Sequence, residues 1–185
     1  EKQIAYAEPS FFRRFDFELL KGDKKTCLSM PGQVVITERI ASKYFKDEDP
    51  IGKIFIFTGA YDKISCEVTG VMKEMPSNSH IHYSFLISYK SLPKYMQEYW
   101  YKHEAYTYVL LDSPERKAEI EREFPAMAEK YKTDEALKNK TWGVSLIPLA
   151  DIHVTPQVGY EAETKGNRSS MIALIFAAIA ILAIA

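Results

Sequence analysis

Residues 53–72 read K-I-F-I-F-T-G-A-Y-D-K-I-S-C-E-V-T-G-V-M. Two β-rich runs, 53–57 and 64–72, flank T-G-A-Y-D, so the stretch predicts a hairpin. In the second run Ile64, Cys66 and Val68 share one face, and Ser65, Glu67 and Thr69 the other. Gly70 marks a bulge or a close backbone approach. An antiparallel hairpin excludes a purely parallel, doubly wound sheet, so its neighbours decide the class.

Working back towards the start, residues 33–37 (Q-V-V-I-T) form a short apolar run that predicts a buried strand. Thr37 can cap a helix over 38–45, with Ile40, Ala41 and Tyr44 on one face. Asp47, Glu48, Asp49 and Pro50 are turn chemistry. Pro50 fixes φ, Ile51 is expected to tuck under the turn, and Gly52 to need a conformation that a side chain would oppose. Earlier still, Pro9 opens a helical turn bearing Phe11, Phe12 and Phe15. Phe17 and Leu19 then alternate with Asp16 and Glu18 until the turn at Gly22-Asp23.

Towards the C-terminus, Pro76-Ser77-Asn78 is a loop and 81–89 is strand-like. A short helix over 93–100 would carry Tyr95, Met96, Tyr99 and Trp100. Residues 105–111 and 144–148 read as strands. Between them, 114–131 predicts a helix whose stripe is Ile120, Phe124, Met127, Ala128 and Tyr131, with Pro125 expected to kink or split it. Residues 133–141 are polar and loop-like, and 159–167 resemble a linker. Helices between strands, with one hairpin, predict an α+β domain in two lobes.

The 185 residues are 46% hydrophobic and 26% charged, enough to build a core. Twenty-four basic and 25 acidic residues are interspersed, for a net charge of −1, which gives no reason to expect nucleic acid. Two cysteines, Cys27 and Cys66, make no disulfide framework. One bridge between them is conceivable in an oxidising compartment, but the alternation around Cys66 makes it a core residue first.

Residues 171–185, M-I-A-L-I-F-A-A-I-A-I-L-A-I-A, carry no polar side chain. As a helix they would extend about 22 Å at 1.5 Å per residue. That is most of a bilayer core, and the reading is the start of a transmembrane helix, with a fully buried core helix as the alternative. The chain therefore reads as part of a longer membrane protein.

Catalytic chemistry is hard to find. No G-x-G-x-x-G, P-loop, G-x-S-x-G, H-E-x-x-H or C-x-x-C pattern occurs. His80 and His82 would share one side of a strand, but a metal needs further ligands, and only His103 and His153 remain. Polar loop histidines are the plainer reading. The acidic run at 47–49 lacks the spaced ligands of a calcium loop. No catalytic residue, cofactor or metal is expected.

Several stretches together resemble one family. They are Phe11-Phe12-x-x-Phe15-x-Phe17-x-Leu19-Leu20-x-Gly22-Asp23, Val34-Val35-Ile36-Thr37-Glu38 and Ala41-x-Lys43-Tyr44-Phe45. Glu48-Asp49-Pro50-Ile51-Gly52-Lys53 is the most specific. Val68-Thr69-Gly70-Val71, Pro76-x-Asn78-Ser79-His80, Pro148-Leu149-x-Asp151-Ile152-His153 and Gly166-Asn167 continue the pattern. The chain resembles the extracytoplasmic domain of MacB/FtsX-type ABC transporter permeases, in a Bacteroidetes-like form.

The resemblance implies a membrane-proximal lobe of about 1–85 plus 142–168, an inserted distal lobe of 86–141, and a membrane helix starting at 169–185. It implies a site on the periplasmic side of the bacterial inner membrane. Its partners would be the membrane, a second permease copy, a cytoplasmic ABC ATPase and a periplasmic adaptor protein. ATP-driven motion would reach substrates or partner proteins outside, for efflux or for lipoprotein or peptide export. Asp49, Pro50, Ile51 and Gly52 are expected to be structural. Tyr95, Tyr99, Trp100 and Tyr101 are the candidate partner surface, since aromatic density suits an interface. The alternative is the ligand-sensing ectodomain of a membrane receptor. A membrane-anchored enzyme is disfavoured by the missing site chemistry.

Overall fold

The computed structural model describes residues 4–59, 63–98, 105–132 and 138–152. The chain forms two compact units, residues 1–110 and 111–185. No helix among the described residues is long and apolar enough to cross a membrane. The expected linker and terminal helix lie outside the described residues, as do Tyr99, Trp100 and Tyr101.

The first unit is built on one mixed sheet. Its strands are β1 (Ile4–Ala7), β2 (Leu19–Lys21), β3 (Gln33–Thr37), β4 (Ile54–Thr58), β5 (Lys63–Met72) and β6 (Phe85–Ser88). The order is β1-β6-β3-β5-β2, with β4 beside β5 as well. β1 runs parallel to β6 and β3 parallel to β5, and the other pairs are antiparallel. The expected hairpin is β4–β5, in register from Ile54 opposite Glu67 to Thr58 opposite Lys63. Three helices accompany the sheet: α1 (Phe11–Arg14), α2 (Glu38–Phe45) and α3 (Lys94–Gln97). The architecture is α+β, as the mixed order predicts.

Both faces of the sheet are apolar, because alternate residues of the central strands are hydrophobic on each side. On one face Val35, Met72 and Leu86 pack with Phe12, Cys27, Leu28, Met75 and Ile81. On the other Val34, Ile36, Val68, Val71 and Ile87 pack with Ile40 of α2 and with Cys66. Thr37 caps α2, its Oγ1 accepting from the Ile40 N–H at 3.4 Å. Tyr44 is not buried with Ile40 and is 56% exposed. Phe45 joins the core in its place, and Tyr44 lies edge-on against Phe55.

A bulge in β5 reconciles its sequence with both faces. Val34 pairs with Val68, but Val35 pairs with Gly70, so Thr69 is extra. Val68 and Val71 are three apart and still reach the same core. The Thr69 hydroxyl donates to the Cys27 carbonyl at 2.6 Å. Ser88, fully buried, donates to the Leu28 carbonyl at 2.9 Å. These two sheet hydroxyls hold segment 23–31 against one face.

Several expectations are corrected. β1 was not foreseen, since I-A-Y-A is too short and too small-sided to stand out from its surroundings. Residues 105–111 and 144–148 form no strand, because a strand needs a ladder partner and the described residues supply none. β6 covers only the second half of 81–89, from Phe85 to Ser88, and the chain continues as a 3-10 turn at Tyr89–Ser91. In the second unit, α4 (Arg116–Glu129) runs through Pro125 without splitting. The Leu146 N–H donates to the Glu121 carboxylate at 2.7 Å, and a 3-10 turn spans Leu149–Asp151.

Cys27 and Cys66 are free, buried, and packed in different cores on opposite faces of the sheet. The bridge left open by the sequence is therefore not formed. Burial pushes the Cys27 thiol up from 9.0 to about 11, and burial raises Cys66 as well. Neither thiol should react with a thiol-specific disulfide reagent at pH 8 until denaturant is added. Because the folded state holds the proton more tightly, stability is fully present below pH 9 and falls as pH rises through about 11. A urea midpoint that stays level between pH 8 and pH 11 would contradict this.

Candidate functional site

The family-like motifs, far apart in sequence, meet around the β5 bulge. Asp49 Oδ1 accepts from the Ile51 N–H at 3.2 Å and from Lys21 Nζ at 3.1 Å. The Lys53 N–H donates to the Pro50 carbonyl, closing a turn whose third residue, Gly52, has φ +79°. The Gly52 N–H then donates to Val68 O, and the Val68 N–H to Lys53 O, both at 2.8 Å. That is a bulge opened by a left-handed glycine, and it bolts the turn to β5. Ile51 does not tuck under the turn. It is 39% exposed, and Pro50 is the buried residue. The rigid ring fits the pocket, and the next side chain points out.

Gly22 reaches the same place from β2. Its φ is +97°, and a Cβ there would sit 2.4 Å from the Thr69 carbonyl oxygen. Gly70 is hemmed in by Val35, Leu19 and the Lys21 carbonyl. Three glycines thus allow three chain segments to close on one bulge.

The charges around this knot are solvent-facing. The hydrogen bond from Lys53, then its charge, holds Glu48 below its usual range. The hydrogen bond from Lys21 and then the Ile51 N–H do the same for Asp49. Exposed pairs of this kind contribute little to stability. Backbone hydrogen bonds hold the knot together, and a structural role is the reading they support.

Gly52 tests that reading. Open space surrounds it, with Glu67 Oε1 at 4.0 Å from a built Cβ, so only its φ opposes a side chain. Gly52→Ala should destabilise by about 1 kcal/mol, and Gly52→Asn by less, because Asn tolerates the left-handed region. Equal losses on denaturant titration would point to crowding instead.

The candidate partner surface divides. Tyr95, on α3, is 60% exposed. Tyr99, Trp100 and Tyr101 lie outside the described residues. Beyond them, Tyr106 is 51% and Leu110 74% exposed. Tyr108, still 38% exposed, packs edge-on against Phe15, with ring centres 5.0 Å apart. Its hydroxyl lies 2.9 Å from His80 Nε2, in hydrogen-bond contact. Burial, then neighbouring Tyr83 and Tyr106, pushes that hydroxyl up to about 12. No local spacing encodes the contact, because it joins residues 28 apart. His82 Nε2 bonds the Pro76 carbonyl at 2.9 Å, so each of the two histidines has its own partner. Among the described residues no cluster of His, Cys, Asp or Glu is arranged to hold a metal ion.

The sequence profile of the MacB-like periplasmic core domain matches residues 1–127. No curated protein matches the chain. The fold is similar to that of a domain of a presumed permease protein from Porphyromonas gingivalis, at TM-score 0.58 and 21% identity. That match covers 72% of this chain and 61% of the other, so the chain spans about three fifths of that domain. The periplasmic region of MacB from Actinobacillus actinomycetemcomitans aligns at TM-score 0.36 and 20% identity, over 48% of this chain and 38% of that one. The profile covers well over half of the residues and includes every strand of the sheet together with the glycine knot. The chain therefore belongs to the MacB-like periplasmic core domain family.

Proposed function

We propose that this domain transmits ATP-driven motion from a cytoplasmic ABC ATPase to substrates or partner proteins outside the inner membrane, in efflux or in lipoprotein or peptide export. The family match over residues 1–127 carries this reading. In the same reading the domain is non-catalytic, is anchored in the membrane through 169–185, works beside a second permease copy, and meets a periplasmic adaptor protein. Within residues 86–141, Tyr95, Tyr99, Trp100 and Tyr101 face those partners, and Asp49, Pro50, Ile51 and Gly52 keep the domain rigid. The exposure of Tyr95 and Tyr106 supports the partner surface. A sheet packed on both faces and bolted at the β5 bulge suits a mechanical element, because it moves as one body.

The test uses the full permease with its ATPase in lipid discs. Lys43→Cys puts a spin label on exposed α2, while the native thiols stay buried. The label–label distance between two copies should shift on adding ATP and trapping the hydrolytic state. Steady ATP hydrolysis with an unchanged distance distribution would defeat the proposal.

A further inference from the structure

β4 is an edge strand. Among the described residues it pairs with β5 alone. The alternation of an antiparallel ladder decides which of its backbone groups are left over. Lys53 bonds across to Val68, so Phe55 and Phe57 direct their N–H and C=O groups at β5. Ile54, Ile56 and Thr58 direct theirs outward. The side chains of Ile54 and Ile56 are 58% and 66% exposed. Edge strands are normally blunted by charge, by Pro or by a cover, and I-F-I-F-T has no charge and no Pro.

We propose that β4 is the seam of a two-fold dimer, paired antiparallel with β4 of a second copy of this chain, Ile56 opposite Ile56. In this register every outward backbone group is used. Ile54 meets Thr58 of the second copy, Ile56 meets its equivalent, and each pair exchanges both N–H···O bonds. The charges agree with a self-complementary edge. Beside β4, β5 places Glu67 against Ile54 and Lys63 against Thr58. Two-fold pairing sets the Glu67 end of one copy alongside the Lys63 end of the other. Parallel pairing would set like charges side by side. On the opposite face Phe55 meets Phe57 of the second copy, the aromatic cross-strand pairing that stabilises sheets. Such an interface is isologous and closed, so it ends at two copies. So short a seam makes a weak dimer that depends on concentration. The inference does not rest on the transport reading.

The 185-residue chain in mild detergent provides the test, with single cysteines and the short thiol cross-linker dibromobimane. The parent chain is the blank, since its own thiols are buried. Ile56→Cys should give cross-linked dimer, because the two thiols are directly opposed. Ile54→Cys should stay monomeric, because its copies are offset four residues along the ladder, roughly 13 Å apart. Ile56→Lys should lose concentration-dependent dimer in sedimentation velocity with its melting temperature unchanged, since the side chain is exposed. Equal cross-linking of Ile54→Cys and Ile56→Cys, or an Ile56→Lys chain that dimerises like the parent, would overturn the proposal.

Discussion

Gly22→Ala should destabilise the first unit by about 3 kcal/mol or more, the top of the range for a residue in a forbidden backbone conformation. Two effects add. A φ of +97° is poorly tolerated by any side chain, and the added Cβ would sit 2.4 Å from the backbone oxygen of Thr69. Nothing there is a flexible side-chain tip that can swing away. Relief requires moving β2 off the β5 bulge, which pulls on the Thr69–Cys27 hydrogen bond and on segment 23–31. The measurement is a urea titration followed by circular dichroism, beside Gly52→Ala. A loss at Gly22 no larger than at Gly52 would show that β2 is free to retreat and that the knot is loose.

Leu86→Ala should destabilise by about 2–5 kcal/mol, from lost burial and from the cavity left behind. Leu86 is fully buried in β6, between Ala5 of β1 and Val35 of β3 in the sheet. Neither small neighbour can extend into the gap, and the two-sided sheet resists collapse. Leu86→Met, which keeps volume, should lose under about 1.5 kcal/mol. If both substitutions lower the denaturation midpoint equally, packing at Leu86 is not what holds β6.

Reading by alternation succeeds where one strand meets one face. The stretch 33–45 shows this: the strand, the Thr37 cap and the helix all stand where the sequence places them. Each of those signals lies within a few residues of its effect. The same holds for the β4–β5 hairpin, for buried Cys66 and for the left-handed Gly52. It fails where the deciding partner is distant. A bare I-A-Y-A becomes β1 only because β6 offers it a parallel edge. Residues 105–111 have strand composition and find no ladder among the described residues, because propensity cannot supply a partner's hydrogen bonds. Tyr108 is drawn to Phe15 and His80, contacts that no local spacing encodes.

The candidate site divides the same way. That the motif at Asp49-Pro50-Ile51-Gly52 is a turn with a strained glycine is a local matter of φ, and the sequence alone determines it. So are the α+β class, the balanced charge and the resemblance of the family motifs. That this turn, Gly22 and Gly70 close on a single bulge was decided only by tertiary structure, because the contacts join β2, β5 and the loop before β4. Tertiary packing also chose Pro50 over Ile51 for burial and put the two cysteines on opposite faces. Those outcomes depend on which strand lies beside which, and strand order follows from long-range packing that no local window of the chain contains.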